Sequence, residues 1–337
     1  MVLLTLTTLT TLTTLTTLTT LTTLTTLNTL MTLNTLTTCQ LCPRCCGVDR
    51  ANGQVGFCQA GDGVRLFRWG PHFGEEPPIC GETGSGAVFF SRCTMKCIYC
   101  QNSPWSWRGG GRDVSVQELS DILRDLAVRR RCANWNLVSP TPYLPYIRAA
   151  AAPLIADGIR LPFVWNSSGY ERVETLAEYR DLCDIALVDL RYSDETTART
   201  ASSAAGYVAA ARAAVKHLWE TLGPLDSEEP GAATRGVIVR ILVLPGHADE
   251  AIENLAWLAT ECSNDVHVSV MSQYAPAFIA SDTPPFDRVV TEEEYASVTE
   301  AAADFGFDHG WIQGIGSRDA SSDLVGENMA PGDGVIA

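Results

Sequence analysis

From residue 86 onward, short continuous apolar runs alternate with stretches in which apolar positions recur at helical spacing. "GAVFF" (86–90) reads as a buried strand. "NLV" (136–138), "LPFVW" (161–165), "IALVDL" (185–190), "VIVRILVL" (237–244) and "VHVSVM" (266–271) repeat the pattern. In "SVQELSDILRDLAVRR", apolar residues at 116, 119, 122, 123 and 126 share one helical face, and Ser115 with Glu118 forms a capping box. Further helices are predicted over 143–157, 171–181, 203–222, 249–261 and 292–305, the last opened by a second capping box of Thr291 and Glu294. Strands alternating with helices argue for a parallel sheet with helical crossovers, and continuous apolar strands for cover on both faces. Six such units predict an α/β fold, a partial (β/α)6-type barrel spanning 84–310.

The flanks follow other patterns. Residues 1–38 are nearly all Leu and Thr in a three-residue repeat. That period fits neither a strand nor a helix, so no face can be buried consistently. The repeat has no basic start, no compact apolar core and no long apolar run, which excludes a secretion signal and a membrane span. It reads as a low-complexity stretch or a mis-assigned start, with Met31 a nearer one. Residues 39–83 read as a Cys-rich segment followed by a Gly- and Pro-rich connector, and 311–337 as a tail. Glu75 and Glu76 lie in a stretch of the connector that could cover the barrel mouth, but a solvated loop is the preferred reading. Gly84 and Gly86 precede the first strand, which is turn chemistry and not a phosphate-binding fingerprint.

The net charge of −15 argues against a nucleic-acid or anionic-membrane surface. The one basic cluster, Arg129–Arg131, falls where a helix ends and suits its dipole. The five histidines form no ligand spacing. Twelve cysteines without a secretion signal imply a reducing compartment, the cytoplasm, where clustered thiols bind metal or do chemistry. Cys80, Cys132, Cys183 and Cys262 stand alone and read as buried inert thiols.

In "SRCTMKCIYCQN" (91–102), Cys93, Cys97 and Cys100 directly follow the first strand. Loops after the C-terminal ends of parallel strands carry the chemistry in such barrels. Soft thiolates select zinc, copper(I) or iron–sulfur clusters. Structural zinc and ordinary four-iron clusters both take four ligands, whereas three leave one iron of a cubane open. The competing reading is a zinc loop whose fourth ligand comes from elsewhere. Upstream, Cys39, Cys42, Cys46 and Cys58 read as a second site, structural zinc or an auxiliary iron–sulfur cluster, in which Cys45 could substitute for Cys46.

The Cys-x3-Cys-x2-Cys spacing with Tyr99 before the last Cys resembles the radical S-adenosylmethionine (SAM) superfamily. "CQLCPRCCGVDRANGQVGFC" (39–58), "GEEPPICGETGSGAVFFSRCTMKCIYCQN" (74–102), "NLVSPTPYLPYI" (136–147), "LPFVWNSSGYE" (161–171), "VRILVLPG" (239–246) and "VMSQYAP" (270–276) resemble its branch of pyruvate formate-lyase activating enzyme homologues. The resemblance implies a radical SAM barrel with a small Cys-rich metal knuckle at its N-terminal side. It also implies a [4Fe–4S] cluster on Cys93, Cys97 and Cys100, whose open iron chelates SAM. One-electron cleavage of SAM would give a 5′-deoxyadenosyl radical for hydrogen abstraction. The SAM contacts it suggests are Tyr99, Thr141 with Ser139 nearby, Asn166, Asp189, Arg240 and Gln273. Many relatives bind the SAM amine through a Gly-Gly-Glu-Pro run at this place, and the Glu is missing here. Arg191 stands where relatives carry Lys. Asn166 could instead cap a helix, Asp189 and Arg191 could each pair with other groups structurally, and Arg240 in mid-strand demands a partner. The implied partners are a glycyl-radical enzyme and a reductant such as flavodoxin or ferredoxin. Alternatives are a radical SAM enzyme acting on another peptide or small molecule, and a non-catalytic iron–sulfur or zinc module.

Overall fold

The structure, a computed structural model, describes residues 36–226 and 232–315. The expectations for the Leu/Thr repeat up to residue 35, for part of the polar loop after residue 222 and for the tail from 316 lie outside the described residues. A nine-stranded sheet dominates: β1 Val64–His72, β2 Ser85–Phe90, β3 Arg112–Val114, β4 Trp135–Val138, β5 Phe163–Ser167, β6 Ile185–Asp189, β7 Gly236–Leu242, β8 His267–Met271 and β9 Gly310–Ile312. Its order is β3-β1-β2-β4-β5-β6-β7-β8-β9. From β2 to β9 all neighbours in that order run parallel, while β1 runs antiparallel to both β2 and β3. The sheet stays open at β3 and β9, which makes the barrel a partial one.

The six expected strands are all present, as is the α/β character. The helices are α1 Pro77–Cys80, α2 Ser103–Ser106, α3 Val116–Arg124, α4 Leu144–Ala156, α5 Val173–Glu178, α6 Glu195–Ser202, α7 Tyr207–Leu222, α8 Ala248–Glu261 and α9 Glu292–Asp304. Both capping boxes form: Ser115 accepts from Glu118 N–H and Thr291 from Glu294 N–H, and each glutamate reaches back to its cap's N–H. Past α3, Arg129 and Arg130 both pair with Asp125. The buried face of α7 sets Ala211 and Ala214 among Tyr207, Val215, Leu218 and Leu222.

Two regions depart from the sequence reading. The expected connector contains β1, whose buried Val64, Leu66, Phe67 and Trp69 add a strand between β3 and β2. Gly63, Gly70 and Pro71 hide that strand in the sequence. The helix predicted over 203–222 forms as α7, and a further helix, α6, precedes it where none was expected. Asp194 caps α6 by accepting from Thr196 and Thr197 N–H, and Ser203 (φ 50°) and Gly206 (φ 71°) turn left-handed between α6 and α7. The Thr- and Ser-rich α6 has no apolar stripe long enough to signal it.

Candidate functional site

The loop after β2 is shaped by distant backbone. An α-helix leaves its last carbonyls without intrahelical partners. Here α6 presents Ala201 and Ser202 oxygens to the amides of Ile98 (2.8 Å) and Lys96 (3.0 Å). The Ile98 carbonyl accepts from Ile279 and Ala280 N–H at 3.0 and 3.1 Å. Trp107 Nε1 donates to the Cys97 carbonyl at 3.1 Å. The loop between Cys93 and Cys100 is thereby fixed from several sides.

Cys93, Cys97 and Cys100 share a cavity of about 250 Å3 with the strand tips: Val138 and Ser139 after β4, Asn166 and Ser167 of β5, Asp189 of β6, Arg240 and Leu242 of β7, and Met271 and Gln273 at β8. Burial, then the neighbouring Cys97, pushes the thiols of Cys93 and Cys100 up, the latter to about 12. Thiols so placed ionise against a strong positive charge, which a coordinated metal supplies. Arg191 provides part of one already: its Nη1 lies 3.3 Å from Cys97 Sγ, while Nε (3.2 Å) and Nη2 (2.5 Å) hold Asp189 Oδ2. Ser106 Oγ lies 3.1 Å from Cys100 Sγ.

The opposite wall is a buried ionic network. Glu75 and Glu76 descend from the loop after β1, their side chains 7% and 6% exposed, onto Arg240. Arg240 Nε donates to Glu76 Oε1 at 2.8 Å, and its Nη2 bonds both carboxylates. Glu75 also accepts from Asn136 (2.9 Å) and Asn166 (3.2 Å). The glutamates are therefore not a solvated loop. They satisfy the mid-strand guanidinium that the barrel interior could not otherwise hold.

The family model of the radical SAM superfamily matches residues 87–259. The chain belongs to the radical SAM superfamily. Among curated proteins, an uncharacterized protein of Methanocaldococcus jannaschii, MJ0674, is 26% identical over 272 residues, covering 78% of this chain and 73% of its own. Among solved structures, a domain of pyruvate-formate lyase-activating enzyme from Bacteroides vulgatus is 15% identical, covers 51% of this chain and 92% of its own, and has a TM-score of 0.36. Streptococcus suis SuiB bound to S-adenosylmethionine is 14% identical over 66% of this chain and 48% of its own, with a TM-score of 0.43.

Radical SAM proteins use a [4Fe–4S] cluster and SAM, and the three thiols fit that cluster. Among the described residues, no three His, Cys, Asp or Glu side chains converge as a single ion requires. A cubane needs no such convergence, because each thiolate binds a different iron. Three soft donors around one cavity suit a four-iron cluster better than mononuclear zinc, and they leave one iron for SAM.

The expected SAM contacts divide. Asn166, Asp189, Arg240, Gln273 and Tyr99 all reach the cavity wall, and Thr141 does not. Thr141 is 2% exposed, and its hydroxyl donates to Glu171 Oε1 at 2.6 Å. The Tyr99 ring stacks on Phe286 and meets Tyr274 edge-on, and its hydroxyl is bonded to that of Tyr192. That ring is committed to the core and cannot lean over an adenine. Asp189 pairs with Arg191, and Arg240 with the two glutamates. Gln273 is exposed at the mouth, where its Oε1 accepts from Gln313. Glu75 is the wall residue that the sequence concealed. The unpartnered mid-strand Arg240 was the signal that a carboxylate must arrive from elsewhere.

The upstream cysteines form a compact knuckle: Cys39 N–H donates to Val48 O, Gly47 N–H to Cys39 O and Cys45 N–H to Cys42 O. Cys42 lies within electrostatic reach of Cys58 and Cys39, and Cys58 of Cys39 and Cys46, although these thiols do not converge on one point. Gly56 makes room for Cys46, since a Cβ there would stand 2.9 Å from its Sγ. Cys45 instead turns its thiol to the Cys42 carbonyl. Arg44 ties the knuckle to the cluster loop, donating to Thr94 O and Ser203 O at 2.6 Å each.

Proposed function

We propose that this radical SAM protein is an enzyme that cleaves SAM reductively and abstracts a hydrogen atom from its substrate, with the cluster on Cys93, Cys97 and Cys100. The observation that carries this reading is the position of three cysteines at the first parallel strand's tip, lining one cavity with the other strand tips. A cluster held by Cys93, Cys97 and Cys100 would supply the one-electron reduction that splits the SAM sulfonium into methionine and a 5′-deoxyadenosyl radical. The chain's own groups hold and shield. Asn166 offers an amide and Asp189 a carboxylate to SAM, Gln273 stands at the mouth, and Arg240 fixes the inner wall through Glu75 and Glu76. Met95, Leu242 and Met271 help keep water from the reacting atoms.

The test is anaerobic reconstitution, reduction with dithionite, and measurement of 5′-deoxyadenosine with SAM alone. Formation of the nucleoside supports the reading, and a reduced four-iron protein that forms none overturns it. Asn166→Ala is expected to weaken SAM binding about tenfold with iron content unchanged, as loss of one hydrogen bond to a charged ligand does.

The finer reading is activation of a glycyl-radical enzyme, with electrons from a flavodoxin or ferredoxin. The motif resemblance from Cys39 to about residue 310 supports it. A glycyl-radical signal raised in a partner from the same cells would carry it, and a host without such an enzyme would favour another peptide or small-molecule substrate. We propose in addition that Cys39, Cys42, Cys46 and Cys58 hold a second metal, zinc or an iron–sulfur cluster. Metal analysis of a variant with Cys93, Cys97 and Cys100 all changed to Ala tests this, and no residual metal would sink it.

A further inference from the structure

Arg191 stands between an acid and a cluster thiol. Its backbone N–H donates to Tyr207 Oη at 3.0 Å, and that hydroxyl is itself bonded to the carbonyls of Ser168 (2.9 Å) and Asp189 (3.2 Å). Its guanidinium is clamped by Asp189 on two nitrogens, and the remaining Nη1 meets Cys97 Sγ at 3.3 Å. Both side chains are largely out of solvent, 20% exposed for Arg191 and 14% for Asp189, so their charges are weakly screened. Lys96 is the other cation near the trio, and its Nζ donates to the Ser106 carbonyl at 3.3 Å.

Charges and hydrogen bonds at the sulfurs set the reduction potential of an iron–sulfur centre. The reduced cluster carries one more negative charge than the oxidised one. A buried guanidinium against a ligand sulfur therefore favours the reduced form, and a carboxylate behind that guanidinium opposes it. We infer that Arg191 sets the cluster's midpoint potential through its hydrogen bond to Cys97, and that Asp189 limits how far it raises that potential. Arg191 is then a positioning and tuning residue that acts through Cys97. The inference rests on the assignment of the cluster to Cys93, Cys97 and Cys100.

The experiment is an EPR-monitored redox titration, without SAM, of anaerobically reconstituted wild type, Arg191→Gln, Arg191→Lys and Asp189→Asn. At the wild-type midpoint, Arg191→Gln is expected to hold a reduced-to-oxidised ratio about tenfold lower, a downward shift of about 59 mV for one electron. Asp189→Asn should move the midpoint upward, and Arg191→Lys should fall between wild type and Arg191→Gln. A merely structural role changes iron content or stability and leaves the potential of loaded protein where it was. Arg191→Gln with full iron and an unmoved midpoint overturns the inference. If Arg191→Gln takes up no iron, Asp189→Asn decides: an upward shift supports the inference and an unmoved midpoint overturns it. Wild type that assembles no four-iron cluster is a different failure, which removes the assignment of the cysteines themselves.

Discussion

The cluster loop and the upstream knuckle are built from the same residue type but are held in opposite ways. The loop is shaped from outside: its amides and carbonyls bond to α6, to residues 279 and 280, and to Trp107. The knuckle holds itself through short-range bonds between Cys39, Cys42, Cys45, Gly47 and Val48. Besides the buried Leu41, which joins the main core, arginines tie it to the barrel. Arg44 bonds Thr94 and Ser203 carbonyls, Arg50 those of Gly61 and Pro142, and Arg172 that of Gln40. Guanidinium forks saturate several carbonyls at once, which suits a small unit with little apolar surface of its own. The barrel thus preorganises the first thiol group, while the second depends on local turns and on whatever its thiols bind.

The sharpest way to break this contrast is Cys97→Ala. Two thiolates cannot hold a cubane with an open corner, so iron and sulfide in the loop site should fall to nothing. Cys42→Ala should leave that cluster in place. Retention of the four-iron spectrum by Cys97→Ala would contradict the assignment.

Arg50→Ala comes next. Arg50 is 1% exposed, and its loss leaves the Gly61 and Pro142 carbonyls short of donors at the seam. A destabilisation of about 2–4 kcal/mol is expected from urea unfolding. A change under about 0.5 kcal/mol would mean that the knuckle is not pinned this way.

Glu171 probes the same seam by pH. It is buried beneath Thr141, within electrostatic reach of Cys42, and burial pushes its carboxyl from 4.5 up to about 7. The folded state keeps a proton that the unfolded chain releases, so this group's contribution to stability is present below about pH 4.5 and falls as pH rises to about 7. The loss is on the order of 3 kcal/mol. Glu171→Gln should remove that slope between pH 5 and 7.5 in urea titrations, and an unchanged slope would place the titration elsewhere. The smallest effect is expected for Cys45→Ala: the exposed thiol should be dispensable for metal content and worth less than about 0.5 kcal/mol.

Much of the barrel was legible because a buried parallel strand shows itself as a continuous apolar run and a surface helix as a 3.6-residue stripe. Both capping boxes were legible for a related reason, since their bonds join residues three positions apart. β1 was not, because glycine and proline break its pattern while its partners β2 and β3 lie elsewhere in the chain. α6 was hidden by its threonines. Thr141 looked like a cavity residue from its place after β4, but the chain turns there and its hydroxyl meets Glu171.

By itself the sequence determined the chemistry on offer: three thiols at a strand tip, a second thiol group upstream, and strands and helices in alternation. Those are local facts, set by residue type and spacing. Only the tertiary structure decided which charges meet. It brought Glu75 and Glu76 down onto Arg240, and it set Arg191 between Asp189 and Cys97. Ion pairs between strand tips depend on how the sheet curves, and no short-range pattern records that curvature.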